Sequence, residues 1–254
     1  MEVIEKGSGE PELVVVGSVH GDEPAGKKAI NKLLEENPEF LKPVKFIIAN
    51  EKALEEVVRY TEADLNSSFP GDPKSDLYEE RLAAKITEHI EGKKVIDLHT
   101  TRSTREPFVN VKNLEEQTRK MVKDAGVSNA ACFPGSSGVL MESAGRAVLV
   151  ETGPQGTEAA ADKSFEVLKN FLICQGIIEG KCERSEPDFF RHFDTVEGDW
   201  IFEAENFRKV VEGEVYATRE DEKLRAENDF YPVLMSTNGY EGKLGYKAEK
   251  VEDF

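Results

Sequence analysis

The sequence predicts an α/β fold: a mainly parallel, mixed sheet flanked by helices, followed by a small C-terminal all-β domain. Three observations predict it. Short unbroken apolar runs recur along the chain, segments of helical period separate them, and beyond residue 180 the texture shifts to brief β-rich runs broken by Gly, Asp and Asn. Unbroken apolar strands alternating with helices belong to sheets covered on both faces. The first run, LVVVG at 13–17, ends in a polar turn over 18–23, and Pro24 then opens an amphipathic segment through 36. That order is strand, loop, helix. The unit recurs as VKFIIA at 44–49 followed by 52–58. A helix over 76–90, with Leu82, Ile86 and Ile90 four apart, precedes the strand VIDL at 95–98. Further strands are expected at 108–111 and 147–150, and helices at 114–125 and 160–176. TVEGDWIF, RKVVEGEVYA and FYPVLMS then read as a small β unit. The expected boundary is near Glu183, separating an α/β domain at 1–183 from a β-rich domain at 184–254.

The chain has 254 residues, 39% of them hydrophobic, and 50 acidic against 33 basic residues give a net charge of −17 at pH 7. That length suffices for a sizeable core. No apolar run approaches the roughly 18–20 residues of a membrane span, and the charged start lacks the pattern of a secretory signal, so a soluble cytoplasmic protein is expected. Cys132, Cys174 and Cys182 form no CxxC pair. They favour neither a disulfide framework nor a thiolate zinc site, and fit a reducing compartment. The acidic balance argues against nucleic acid as a partner, while a small anionic ligand stays open where local cations meet it; the expected partner is a small molecule, and a homo-oligomer stays open.

In open α/β sheets ligands bind outside the carboxyl ends of the strands, so the polar residues after each apolar run carry the functional argument. His20 and Glu23 (HGDE) follow the first run, His99 follows VIDL, and Glu151 (ETG) follows AVLV. Two histidines and a carboxylate with a fourth position open make a catalytic zinc site, and a further unligated carboxylate supplies its base. One zinc ion is therefore expected among these strand-end residues.

HGDE, DLNSSFPG (64–71), DLHT (97–100) and VETGPQG (150–156), in that order, resemble the succinylglutamate desuccinylase and aspartoacylase family of carboxypeptidase A-like zinc hydrolases, and YPVLMSTNGY (231–240) resembles that family's C-terminal segment. The resemblance covers most of the chain. It implies that His20, Glu23 and His99 are the zinc ligands and Glu151 the general base and proton shuttle. It further implies that Arg59 stabilises the oxyanion, Asn66 holds a substrate carboxylate, and Tyr240 closes over the substrate. Asp64 is implied to hydrogen-bond the unligated nitrogen of His20, fixing the ring and raising its basicity.

Two positions depart from the family pattern. Ser67 stands where an arginine usually grips a substrate carboxylate, and Met141 where aspartoacylase carries a second arginine. A hydroxyl offers one neutral donor in place of a bidentate charged pair, a loss of about 1.5 to 3 kcal/mol. Arg102 and Arg105, in TTRSTRE directly behind His99, are candidates to restore an anion pocket. Asp97, two residues before His99, should share its side of the strand. His89 is expected to complement the end of its helix as a cation, His192 (inside FFRHF) to pack among aromatics at the domain boundary, and Cys132 to be a small buried hydrophobe.

The function these residues imply is hydrolysis of the amide of a small N-acylated amino acid by zinc-activated water. The alternatives are a carboxypeptidase-like or amidase activity on another small substrate, and a non-catalytic homologue that binds metal or ligand.

Overall fold

The computed structural model describes residues 1–135, 137–239 and 241–252. The chain begins with β1 (Glu2–Lys6) and runs through β2 (Leu13–Gly17), α1 (Ala25–Glu36), β3 (Val44–Ile48) and α2 (Glu51–Glu56). A 3-10 turn, Leu65–Ser67, leads to α3 (Tyr78–Ile90), β4 (Lys94–Thr101), β5 (Phe108–Val111), α4 (Glu116–Ala125), β6 (Asn129–Cys132) and α5 (Leu140–Ser143). After β7 (Arg146–Pro154) and α6 (Glu158–Cys174) come β8 (Asp188–Glu197), β9 (Ile201–Phe202), β10 (Val215–Arg219), β11 (Glu222–Arg225), β12 (Tyr231–Val233) and β13 (Lys243–Val251).

The main sheet has ten strands in the order β1-β3-β2-β4-β7-β5-β6-β8-β13-β12, and β11-β10-β9 form a separate three-stranded sheet. Strand β2 pairs in parallel with β3 and β4, and β4 with β7. The unbroken apolar runs follow from covering both faces. Leu13 and Val15 join the cluster of Leu33, Phe46, Leu168 and Phe171, whereas Val14 and Val16 join Leu82, Ile86 and Ile90 of α3. Each fully buried Val, Leu, Ile or Phe contributes about 1.5–3 kcal/mol, which fixes the strand register from both sides. The ends are set locally: the Thr157 hydroxyl caps α6 by accepting from Ala160 N at 3.1 Å, and Asn50 caps α2 through Ala53 N at 3.2 Å. After β2 the chain steps to β3 on one side, then returns to β4 on the other. The loops leaving β2 and β4 therefore diverge at a topological switch point, where a crevice must open.

The structure adds one element to the sequence reading and departs from it at Cys174, Cys182 and His89. The charged start forms an edge strand, β1, antiparallel to β3. The expected boundary near residue 183 does not interrupt the main sheet: β8 pairs in parallel with β6, and β13 and β12 extend the same sheet. Cys174 and Cys182, expected to be unpaired, form a disulfide. Helix α6 ends at Cys174, the chain turns through Gly176, and the return brings the two Cα atoms to 4.7 Å. Their pairing removes the cysteine spacing as an argument for a reducing compartment. His89 lies 3.3 Å from Lys45 Nζ, and burial, then the Lys45 charge, lowers its pKa, so it is not the helix-end cation expected. His192 does pack among aromatics, against the rings of Phe133 and Tyr246, which also touch each other, and Cys132 is buried. Among the described residues, no helix is long and apolar enough to cross a membrane.

Candidate active site

Beyond Gly17 at the end of β2, Ser18 turns the chain with φ 58°, and its hydroxyl donates to Glu23 O at 3.1 Å. This closes a tight loop carrying His20 and Glu23. Its glycine is required by packing, because a Cβ on Gly21 would collide with the backbone of Ala53 in α2. Gly21→Ala is therefore expected to cost about 1–3 kcal/mol, as other overpacked sites do. Denaturant unfolding should show a lower midpoint with an unchanged slope.

His99 projects from β4 and Glu151 from β7, opposite each other in parallel register. The loop and the strands bring three buried side chains together. His20 Nδ1 is 2.9 Å from Glu23 Oε1 and His99 Nδ1 is 3.4 Å from Glu23 Oε2, with the two rings 5.0 Å apart. Thr100 N donates to Glu23 Oε2 at 2.8 Å. The other nitrogen of each ring faces a carboxylate: His20 Nε2 lies 3.2 Å from Asp64 Oδ1 and His99 Nε2 lies 2.9 Å from Asp97 Oδ2. Such pairing fixes each ring and directs its Nδ1 towards Glu23.

Charge follows geometry. Burial raises the pKa of Glu23, but the adjacent imidazoles of His20 and His99 prevail and hold it well below the usual carboxylate range. Burial works against a charged His99, yet Asp97 and Glu23 drive its pKa well above the ordinary value. Asp64 also lies low, since His20 and Arg59 outweigh its burial. Glu151 goes the other way. Burial, with the charges of Glu23 and Asp97 adding and that of His99 opposing, raises it to about 8.

These residues fit a divalent ion. One donor atom from each of His20, Glu23 and His99 lies within 4.8 Å of the other two. Tetrahedral ligation at ~2.1 Å places donors roughly 3.4 Å apart, comparable to the separations found. Among the described residues, Glu151 Oε2, Thr100 Oγ1 and Asp97 Oδ1 are buried without a hydrogen-bond partner, as polar atoms awaiting a ligand would be.

The cluster forms the floor of a cavity of about 460 Å³. Arg59 lines it, its Nε donating to Asp64 Oδ2 at 3.0 Å and its Nη1 to Glu23 Oε1 at 3.4 Å. Asn66 also lines it, accepting from Leu140 N at 3.4 Å. The 3-10 turn that buries Leu65 and aims Asn66 inwards leaves Ser67 exposed and outside the cavity wall. Arg102 is on the wall, whereas Arg105 is exposed and lines a separate depression with Asn206 and Arg208. The strand β4 has ended by Thr101, and the following bends turn the two arginines apart. Tyr240 lies outside the described residues. Met141 is also on the wall, together with Leu234 and Tyr246 from the C-terminal segment.

Sequence reasoning missed three contributors. Asn110 Nδ2 donates to Glu151 Oε1 at 3.4 Å, and Gln155 Nε2 reaches the Asp22 carboxylate at 2.5 Å. The third is Glu79, in the first turn of α3 and fully buried. Its Oε1 accepts from Thr61 N at 2.7 Å and Thr61 Oγ1 at 2.8 Å, and its Oε2 from Glu62 N at 3.0 Å and Ala63 N at 3.1 Å. It thus clamps the stretch between Arg59 and Asp64. A glutamate at a helix start is common, and only its burial marks this one.

The fold and the site define a class: an α/β protein of the aspartoacylase fold with a buried His–Glu–His cluster at its strand ends. Murine aminoacylase 3 superposes with a TM-score of 0.74 at 17% identity, over 96% of this chain and 97% of that one. The product-bound ectoine utilization protein from Ruegeria pomeroyi gives a TM-score of 0.77 at 18% identity, over 98% and 88% of the two chains. Residues 9–170 match the succinylglutamate desuccinylase/aspartoacylase catalytic domain, and the chain belongs to that family. In sequence it is 34% identical over 106 residues to the N-acyl-aromatic-L-amino acid amidohydrolase (carboxylate-forming) of Xenopus tropicalis. That match spans 36% of this chain and 34% of the frog protein.

Proposed function

We propose that the protein is a zinc-dependent amidohydrolase that splits a small N-acyl amino acid, or a related amide, into a carboxylate and an amine. The observation that carries this reading is the convergence of His20 and Glu23 from one loop and His99 from a distant strand on one point beside a buried carboxylate raised to about 8. Family membership and the amidohydrolase relatives support it.

In this reading His20, Glu23 and His99 hold the ion, while Asp64 and Asp97 orient the rings. A bound zinc ion supplies Lewis acidity to the amide carbonyl and to water. Glu151 accepts a proton from the attacking water and delivers it to the departing nitrogen as the C–N bond breaks. Arg59 faces the negative charge that develops on the carbonyl oxygen, and removing such a donor costs about 2.7–4 kcal/mol in the transition state. Asn66 contacts the substrate, and Tyr240 closes over it by the family resemblance. The cytoplasm is the location proposed.

The purified protein should bind one zinc per chain and release amino acid from a panel of N-acyl amino acids. A strong chelator should abolish this release, and added zinc should restore it. His99→Ala should lose the ion altogether by elemental analysis. Full turnover by the chelated, metal-free protein would overturn the assignment. Because zinc binds the folded state, chelation should also remove about 4 kcal/mol of stability where zinc stands at 1,000 times its Kd, read as a lower Tm.

A further inference from the structure

The cavity has few cations for its acids. Asp22, Glu23, Asp64, Glu151 and Glu241 line it, and among the described lining residues the guanidinium groups are those of Arg59 and Arg102. Arg59 is engaged by Asp64 and Glu23. The partners found for Arg102 are neutral: its Nε donates to Gln155 Oε1 at 2.7 Å and its Nη1 to Asn238 O at 3.4 Å. The orientation is imposed from both sides. Gln155 is turned by its own bonds to Asp22, and Ser236 Oγ donates to Arg102 O at 3.1 Å. Arg102 is thus an exposed, pre-oriented fork with its charge uncompensated by any described carboxylate, the arrangement that suits a bidentate ligand carboxylate.

The rest of the wall limits what that carboxylate can belong to. Phe133, Val139, Met141, Leu149, Leu234 and Tyr246 supply its apolar surface. A second anionic group would meet the lining acids without a second uncommitted cation, whereas an apolar group would be desolvated favourably.

We propose that Arg102 reads the substrate's carboxylate, and that the cavity selects N-acyl amino acids bearing that single carboxylate and an apolar side chain. This rests on the amidohydrolase reading and names the substrate class of the same site. The residues Ser67 and Met141 leave the work to a cation immediately behind His99.

The test uses the zinc-loaded protein, with wild type, Arg102→Ala and Arg102→Lys compared by release of acetate. The substrates are N-acetyl-L-phenylalanine, its uncharged carboxamide and N-acetyl-L-aspartate. Arg102→Ala should raise KM for N-acetyl-L-phenylalanine by about 10- to 100-fold, the worth of one charged hydrogen-bonded contact, with kcat nearly unchanged. KM for the carboxamide should stay within about threefold, and lysine should recover part of the loss because it keeps the charge without the fork. Wild type should turn over N-acetyl-L-aspartate least well of the two acids.

Equal changes in KM for acid and carboxamide, or none, would overturn the role of Arg102. Preference for N-acetyl-L-aspartate would overturn the apolar class. If wild type hydrolyses none of the three, the amidohydrolase reading fails. The carboxylate site is then decided by calorimetric binding of N-acetyl-L-phenylalanine, where a Kd unchanged by Arg102→Ala would end the proposal and a rise of about tenfold or more would sustain it.

Discussion

Glu151→Gln should lower kcat by about 10²- to 10⁴-fold, the usual contribution of a positioned general acid–base, while one zinc per chain stays bound. The substitution preserves shape and the chance to bond Asn110, which reaches Glu151 Oε1 at 3.4 Å, but it cannot take a proton from water. KM should move little. Wild-type turnover by a zinc-loaded glutamine variant would remove Glu151 from the reaction. The same variant has a second signature in the metal-free protein. Glu151 is raised from the ordinary 4.5 to about 8 by burial first, and by Glu23 and Asp97. Between those values the folded state binds more protons at this position than the unfolded state does. Its stabilising contribution is therefore complete below 4.5 and lost as pH rises through 8. Glutamine carries no such dependence. The stability of metal-free Glu151→Gln relative to wild type should rise across that window, measured by denaturation at a series of pH values. A flat difference would mean that the carboxyl is not perturbed.

The parts of this site that were legible in the sequence lie where local pattern and strand position coincide. His20, His99 and Glu151 each stand just past or within the end of an apolar run, and a parallel sheet must bring such ends to one edge. Asp97 was legible too, because a residue two before His99 in a strand shares its side. What escaped depends on contacts between distant segments. Strand β8 reads as part of a separate β unit because its exposed and buried residues mix, and nothing local says that it pairs with β6. Arg102 and Arg105 are indistinguishable in TTRSTRE, since the bends after Thr101 decide which one meets the cavity. Cys174 and Cys182 approach only because the end of α6 folds back. Position 67 matches the family's arginine in sequence, whereas the 3-10 turn decides that Asn66 faces inward and Ser67 does not.

Glu79 is where stability and function should prove inseparable. Five donors converge on its carboxylate: the backbone N–H groups of Thr61, Glu62 and Ala63, the Thr61 hydroxyl, and Asn50 Nδ2 at 3.3 Å. Burial alone would raise its pKa, yet the donors, led by Thr61, pull it below the ordinary value. Glu79→Ala would strand these groups, and since each buried unsatisfied donor costs about 1–3 kcal/mol, a loss of roughly 3–5 kcal/mol is expected after partial hydration. Glu79→Gln is the sharper variant. Its amide oxygen can serve one cluster of donors, but its NH2 group must then oppose the other, Thr61 and Asn50 or Glu62 and Ala63. Stability should therefore fall in the order Glu, Gln, Ala. Function should follow by a specific route, because the clamped stretch ends at Asp64, which orients His20. Loss of such an orienting carboxylate typically weakens metal binding by about 10- to 100-fold. Zinc affinity, measured by competition with a chelator under conditions where the glutamine variant remains folded, should drop within that range. A glutamine variant that loses stability but keeps wild-type zinc affinity would show that Glu79 holds the fold alone, and that Asp64 keeps its place without it.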